Sequence, residues 1–229
     1  MSLVRYIFSV ISPLFNLGKA PLRRAIGSMA ASVLMALAGL GLSVPAPAWV
    51  LSVTPGARTV YLGVGNLSAN ADNATVNRVT LDVPTTAVAS GVAQVMNTIN
   101  ASSSTQAISP HDNYTVCAPS SGQVYVGGYF RLPAASATTA VLQVTTPASL
   151  TSGANSIPFS QISWTSTSIG NSGAADIPNG SFVAGGTRVL RNFGANTFVE
   201  NCLVFSYANT APVAAGTYDG RATYTLTAP

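Results

Sequence analysis

The sequence predicts an all-β protein, an antiparallel β-sandwich of immunoglobulin-like or pilin-like build, set behind an N-terminal hydrophobic signal segment. Three observations predict it. Apolar and polar residues alternate with a two-residue period in run after run, turn clusters separate those runs at spacings of about ten residues, and no window after Trp49 sustains a 3.6-residue apolar stripe of helix formers. Only 7% of the 229 residues are charged and 48% are hydrophobic, against about 25% charged in an ordinary soluble domain, which excludes a disordered tail protein. Gly and Pro are spread without a three-residue period, which excludes collagen.

The N-terminal segment comes first. Arg5, Lys19, Arg23 and Arg24 precede any acidic residue, and Ile26 to Val44 is an uncharged run of Ala, Leu, Val, Ile, Met, Gly and Ser ending in Ala46-Pro47-Ala48. Small residues at two positions before a bond suit a signal peptidase pocket, so residues 1–48 read as a secretory leader cleaved before Trp49. The alternative is an uncleaved anchor, since about 18 apolar residues span a bilayer; membrane contact would then run through this segment alone. Either way the chain is exported, to the periplasm, the cell surface or the extracellular space, and residues 49–229 form a single domain. In that part six Arg balance six acidic residues, and Lys is absent. No cationic patch is left to replace counterions along a phosphate backbone, so no nucleic-acid partner is expected.

The strands follow in order. Thr59 to Leu62, Val76 to Val83, Gln123 to Arg131, Ala140 to Thr146, Phe159 to Trp164, Thr187 to Phe193, Phe198 to Tyr207 and Thr217 to Thr227 are rich in β-branched and aromatic residues. The last is the clearest: Tyr218, Ala222, Tyr224 and Leu226 share one parity, and Asp219, Arg221, Thr223 and Thr225 the other. Thr54-Pro55-Gly56, Ser152-Gly153, Pro178-Asn179-Gly180 and Ala184-Gly185-Gly186 supply turns. The best helical candidate, Val88 to Ile99, is interrupted by Gly91. About eight to eleven strands are expected.

Cys117 and Cys202 lie in expected strands of the exported part and read as a disulfide. Closing so long a loop stabilises by roughly 4 to 5 kcal/mol on the chain-entropy account. Free thiols serving a metal lack partners, since the chain's one His forms no spaced ligand motif with either Cys.

No catalytic residue, metal site or cofactor is expected. His111-Asp112 is the only adjoining imidazole and carboxylate, but Pro110-His111-Asp112-Asn113 has loop composition ahead of an expected strand, Tyr114 to Ala118, and successive residues rarely form the hydrogen bond general-base chemistry needs. Asn70-Ala71-Asp72-Asn73 offers a calcium ion one carboxylate, too few. Glycosidase chemistry needs two carboxylates flanking a cleft, and the six acidic residues are not paired by spacing. Tyr125, Tyr129 and Trp164 are candidates for stacking on a sugar ring, against the commoner role of strand aromatics as core. Gly127-Gly128 between them marks a bulge or a close backbone approach.

The ending Ala215-Gly216-Thr217-Tyr218-Asp219-Gly220-Arg221-Ala222-Thr223-Tyr224-Thr225-Leu226-Thr227-Ala228-Pro229 resembles the last strand of bacterial surface β-sandwich modules, notably fimbrial subunits and WxL cell-surface domains. It departs from the WxL pattern in carrying Tyr224 where Trp is diagnostic. The resemblance implies a non-enzymatic structural or adhesive envelope protein, with copies of itself or other surface subunits as partners. The fimbrial version implies assembly by strand exchange, in which an exported N-terminal segment fills a neighbour's incomplete sheet. Here Trp49, Leu51 and Val53 alternate with Val50, Ser52 and Thr54 as a donor-strand candidate; the competing reading is an ordinary first strand of the chain's own sheet. The alternative function is a secreted carbohydrate-binding module with a glycan ligand.

Overall fold

The computed structural model describes residues 2–12, 52–65, 77–98, 108–118, 123–134, 136–167 and 175–229, with the backbone alone for 2–12, 77, 78 and 98. In chain order the strands are β1 (Ser2–Ser12), β2 (Thr59–Val64), β3 (Asn77–Asp82), β4 (Gln94–Val95), β5 (Asn97–Thr98), β6 (Gln123–Arg131) and β7 (Thr139–Thr145). They continue with β8 (Ser149–Ser152), β9 (Asn155–Pro158), β10 (Ile162–Thr167), β11 (Gly180–Ser181), β12 (Thr187–Gly194), β13 (Thr197–Tyr207) and β14 (Tyr218–Thr227).

Two sheets result. The first runs β12-β7-β14-β1-β3-β5, with the β8–β9 hairpin beside β14; the second runs β11-β10-β13-β6-β2, with β4 beside the end of β13. The sandwich core follows from strand parity. Tyr218, Ala222, Tyr224 and Leu226 of β14 are buried together with Leu142 and Val144 of β7, against Val126 and Phe130 of β6 and Leu203 and Phe205 of β13. The chain crosses from one sheet to the other between β12 and β13, where Asn196 takes a left-handed turn at φ 60° and its amide donates to the Phe130 carbonyl at 2.7 Å.

The expected β-sandwich is therefore present, with differences in detail that have physical causes. More strands form than periodicity counts, because pieces of two to four residues (β4, β5, β8, β9, β11) are too short to show a period. The β8–β9 hairpin turns at Gly153, φ 58°, a conformation that suits a two-residue loop. The described part of the stretch Val88 to Ile99, residues 88–98, holds β4 and β5 and no helix. Phe159–Gln161 is a 3₁₀ turn entered from Pro158, which delays the following strand to Ile162. The strand expected over Tyr114 to Ala118 is a surface flap with a single bridge, Ile108 to Thr115, so Cys117 sits in a bend. Gly127-Gly128 makes no bulge: the register of β6 with β2 and β13 runs through without a shift. Among the described strands one pair is parallel, β1 with β3.

Candidate functional site

The parallel pair locates the first feature. β1 is rich in Val, Ile, Tyr and Phe, residues suited to a pleated sheet. It occupies the lane between β14 and β3, pairing antiparallel with β14 from Ser2↔Thr227 to Ile11↔Tyr218 and parallel with β3 from Ile7↔Asn77 to Ser12↔Asp82. Among the described residues this is the only strand of the first sheet drawn from the stretch that reads as a leader. Without it, β14 and β3 each present an unpaired row of amides and carbonyls along this lane. An apolar cavity of about 10 Å³ lies between the sheets, lined by Val79 of β3 and Ala222 of β14 together with Ile162, Phe182 and Phe205.

The second feature is on the outer face of the other sheet. Phe198, Glu200 and Cys202 of β13 lie on the parity opposite the core, as do Tyr125, Gly127 and Tyr129 of β6 and Tyr61 of β2. The flap, residues 108–118, covers part of this face and is fixed there by the Cys117–Cys202 disulfide, Cα to Cα 5.6 Å. Val116, both half-cystines and Tyr125 form a small apolar cluster of their own. Beneath the flap the Tyr125 hydroxyl donates to Oε2 of Glu200 at 2.8 Å. Gly127 makes room for it, since a Cβ there would lie 2.6 Å from the Tyr125 ring carbon that carries the hydroxyl.

Burial sets the electrostatics of this face. Desolvation pushes the Glu200 carboxyl above its ordinary pKa; hydrogen bonds from Tyr125 and Ser109 work against the shift, and nearby Asp112 and Asp176 add to it. Desolvation first, then Glu200, pushes the Tyr125 phenol well up. Asp176 is raised by desolvation, offset by the Glu200 backbone and by Arg191.

The sequence-predicted residues are distributed as follows. Tyr125 is wholly buried and Trp164 nearly so, its indole N–H donating to the Pro178 carbonyl at 2.9 Å with the Arg188 guanidinium 5.5 Å over the ring. Tyr129 is half-buried and stacks on Tyr61, centroids 5.4 Å apart. Val53 is buried, its amide donating to the Asn196 carbonyl at 2.9 Å, and Ser52 bridges Thr197; Trp49 and Leu51 lie outside the described residues. Asp72 and its neighbouring amides also lie outside them. His111 stacks on Phe198 at 4.6 Å, while Oδ1 of Asp112 accepts the Tyr114 amide at 2.9 Å, so the two side chains serve different partners. Among the described residues no group of three His, Cys, Asp or Glu gathers, and no helix is long and apolar enough to cross a membrane.

Comparison with family models, with curated proteins and with solved structures returned no match. Function has to be argued from the chain's own geometry. Two features escaped the sequence reading. Glu200 was legible as sharing parity with Cys202 in β13, a carboxylate two residues from a half-cystine on one face. β1 was hidden because its basic residue and its position at the start of the chain make it look like the front of a leader.

Proposed function

We propose that the protein is an exported, non-enzymatic structural or adhesive component of a bacterial cell envelope, of fimbrial-subunit type, whose sandwich is completed by an added strand. The observation that carries this reading is the lane between β14 and β3, filled in the full chain by residues 2–12. Removal of a leader over residues 1–48 takes that strand away, leaving two facing edges that a partner's extended segment satisfies by main-chain hydrogen bonds, its alternate side chains entering the core. The low charge, the disulfide and the resemblance of the C-terminal strand to surface β-sandwich modules support the same reading.

Hydrogen exchange on the protein purified after export tests it. The amides of β3 and β14 should be protected only in particles that contain a second polypeptide. Protection of both strands in a processed, lone monomer would sink the reading.

A secreted carbohydrate-binding module is the second reading, and one observation favours it: the half-buried Tyr61–Tyr129 stack on the outer face. It ranks behind the first because Tyr125 and Trp164 are enclosed by the protein itself. A glycan array with Tyr61→Ala and Tyr129→Ala variants checks it.

A further inference from the structure

Phe198 of β13 pairs in register with Tyr129 of β6, which pairs in register with Tyr61 of β2. The three rings gather on the outer face, with Tyr129 and Phe198 centroids 6.0 Å apart and Tyr61 and Phe198 centroids 6.4 Å apart. Tyr61 and Tyr129 are half-buried, whereas Phe198 is 3% exposed. The flap lies on it: the His111 ring sits face to face with Phe198, centroids 4.6 Å apart and planes 13° from parallel. A sugar ring laying its apolar side on this phenyl would need the face that His111 holds.

The flap is built to move as one piece. Its turn is closed by its own bonds: the Ser109 amide donates to the Tyr114 carbonyl at 2.8 Å, the Asn113 amide to the Ser109 carbonyl at 3.1 Å, and the Tyr114 amide to Oδ1 of Asp112 at 2.9 Å. The Cys117–Cys202 disulfide fixes its far end to β13. At the turn, the Ser109 hydroxyl donates to Glu200, which lies beneath it 8% exposed. The groups facing Glu200 are Tyr125 from β6, Ser109 and Asp112 from the flap, and Asp176 from the segment ahead of β11; His111 faces Phe198 beside it, and Arg191 of β12 acts on Asp176. The charges bearing on Glu200, Asp112 and Asp176, are thus acidic. Ionising Glu200 places an anion near Asp112 in a site poor in water, and lifting the flap both separates the two charges and hydrates the carboxylate.

We propose that the flap is an autoinhibitory lid: with Glu200 protonated it closes and His111 occupies the Phe198 face, and with Glu200 charged it lifts about its disulfide end and frees that face for a ligand. That the ligand is a glycan rests on the carbohydrate-binding reading. The direction follows from burial. Desolvation raises the carboxyl in the closed state, so closure is complete below the ordinary value of 4.5 and is lost as pH rises through the closed-state value.

Hydroxyl-radical footprinting of the purified full chain, read by mass spectrometry, measures the exposure of Phe198 against Phe159, a core residue 1% exposed. From pH 5 to pH 8 the Phe198 signal should rise about threefold or more while that of Phe159 stays constant. Glu200→Gln keeps the shape and an acceptor and should hold the signal low across the range. Asp112→Asn keeps the acceptor for the Tyr114 amide and should blunt the rise, and it decides the matter if Glu200→Gln does not fold. A flat Phe198 signal in the parent, or an undiminished rise in the variants, overturns the lid. A glycan array at both pH values reads the ligand: the parent should bind at pH 8 and weakly at pH 5, and His111→Ala, which removes the occupant and leaves the carboxyls in place, should bind at both. Equal binding by the parent at the two pH values overturns the lid and leaves the carbohydrate reading standing. A pH-dependent Phe198 signal with no glycan bound by parent or His111→Ala overturns the carbohydrate reading and leaves the lid standing.

Discussion

Tyr125 reaches over Gly127 on its own strand to donate its hydroxyl to Glu200 on the next, 2.8 Å away and under a flap held by a disulfide. The pair is the polar centre of the outer face of the second sheet. Tyr125→Phe takes away one of the two donors to the buried carboxyl and leaves Ser109 as the other, so it is expected to lower stability by about 1 to 3 kcal/mol. Tyr125→Phe combined with Glu200→Gln should cost less than the sum of the single changes. Urea denaturation of the four proteins measures the coupling.

The same carboxyl gives stability a pH dependence. Its folded-state pKa is raised, with desolvation the first cause, so its contribution is complete below the ordinary value of 4.5 and is lost as pH rises through the folded value. Asp176 is raised in the same direction. The protein should therefore melt at a higher temperature at pH 5 than at pH 8. Glu200→Gln should reduce the difference, and thermal melts across that range decide it; an unchanged slope in the variant would assign the dependence elsewhere.

The disulfide is a clip on the flap as well as a loop closure. Replacing both Cys117 and Cys202 by Ser should cost up to roughly 4 to 5 kcal/mol. The first site cut by a dilute protease should move into residues 108–118, because hydrogen bonds and the His111–Phe198 stack are then left to hold it, among them the Ile108–Thr115 bridge, the Ser109–Tyr114 turn, the Ser109–Glu200 bond and the Ala118 amide's bond to Gln123. Limited proteolysis with mass mapping reads this directly.

Two glycines make a matched comparison. At Gly127 an added Cβ meets the Tyr125 hydroxyl and ring, whereas at Gly194 it meets nothing within 4 Å. Gly127→Ala should destabilise by about 1 to 3 kcal/mol, and Gly194→Ala should stay within about 0.5 kcal/mol of the parent. Equal melting temperatures for the two variants would remove the role given to Gly127.

Local pattern made some of this legible. The limits of β6 are those the sequence marks, Gln123 to Arg131, and the buried parity of β14 is the one its Tyr and Leu residues mark. Both strands are long and half-buried, so one face alternates with the other and the period shows. Tyr114-Thr115-Val116-Cys117 has strand composition yet lies in the flap. Its partner lane is already occupied, since Tyr125 and Cys202 of the sheet beneath present side chains to it, not a free edge. Tyr125 and Trp164 looked like platform residues because sequence gives parity but not what lies over each face.

The sequence by itself determined a low-charge β-sandwich, the pairing of its two cysteines and the strands long enough to carry a period, because composition and alternation between near neighbours carry the first and last, and two cysteines in the whole chain leave one pairing to make. Tertiary structure alone decided that residues 2–12 lie between β14 and β3, that Glu200 is enclosed with Tyr125, and that Val53 is held by Asn196. Each of these joins segments far apart in the chain. Backbone hydrogen bonding and desolvation at such meetings depend on which surfaces face one another in space, which no local alternation records.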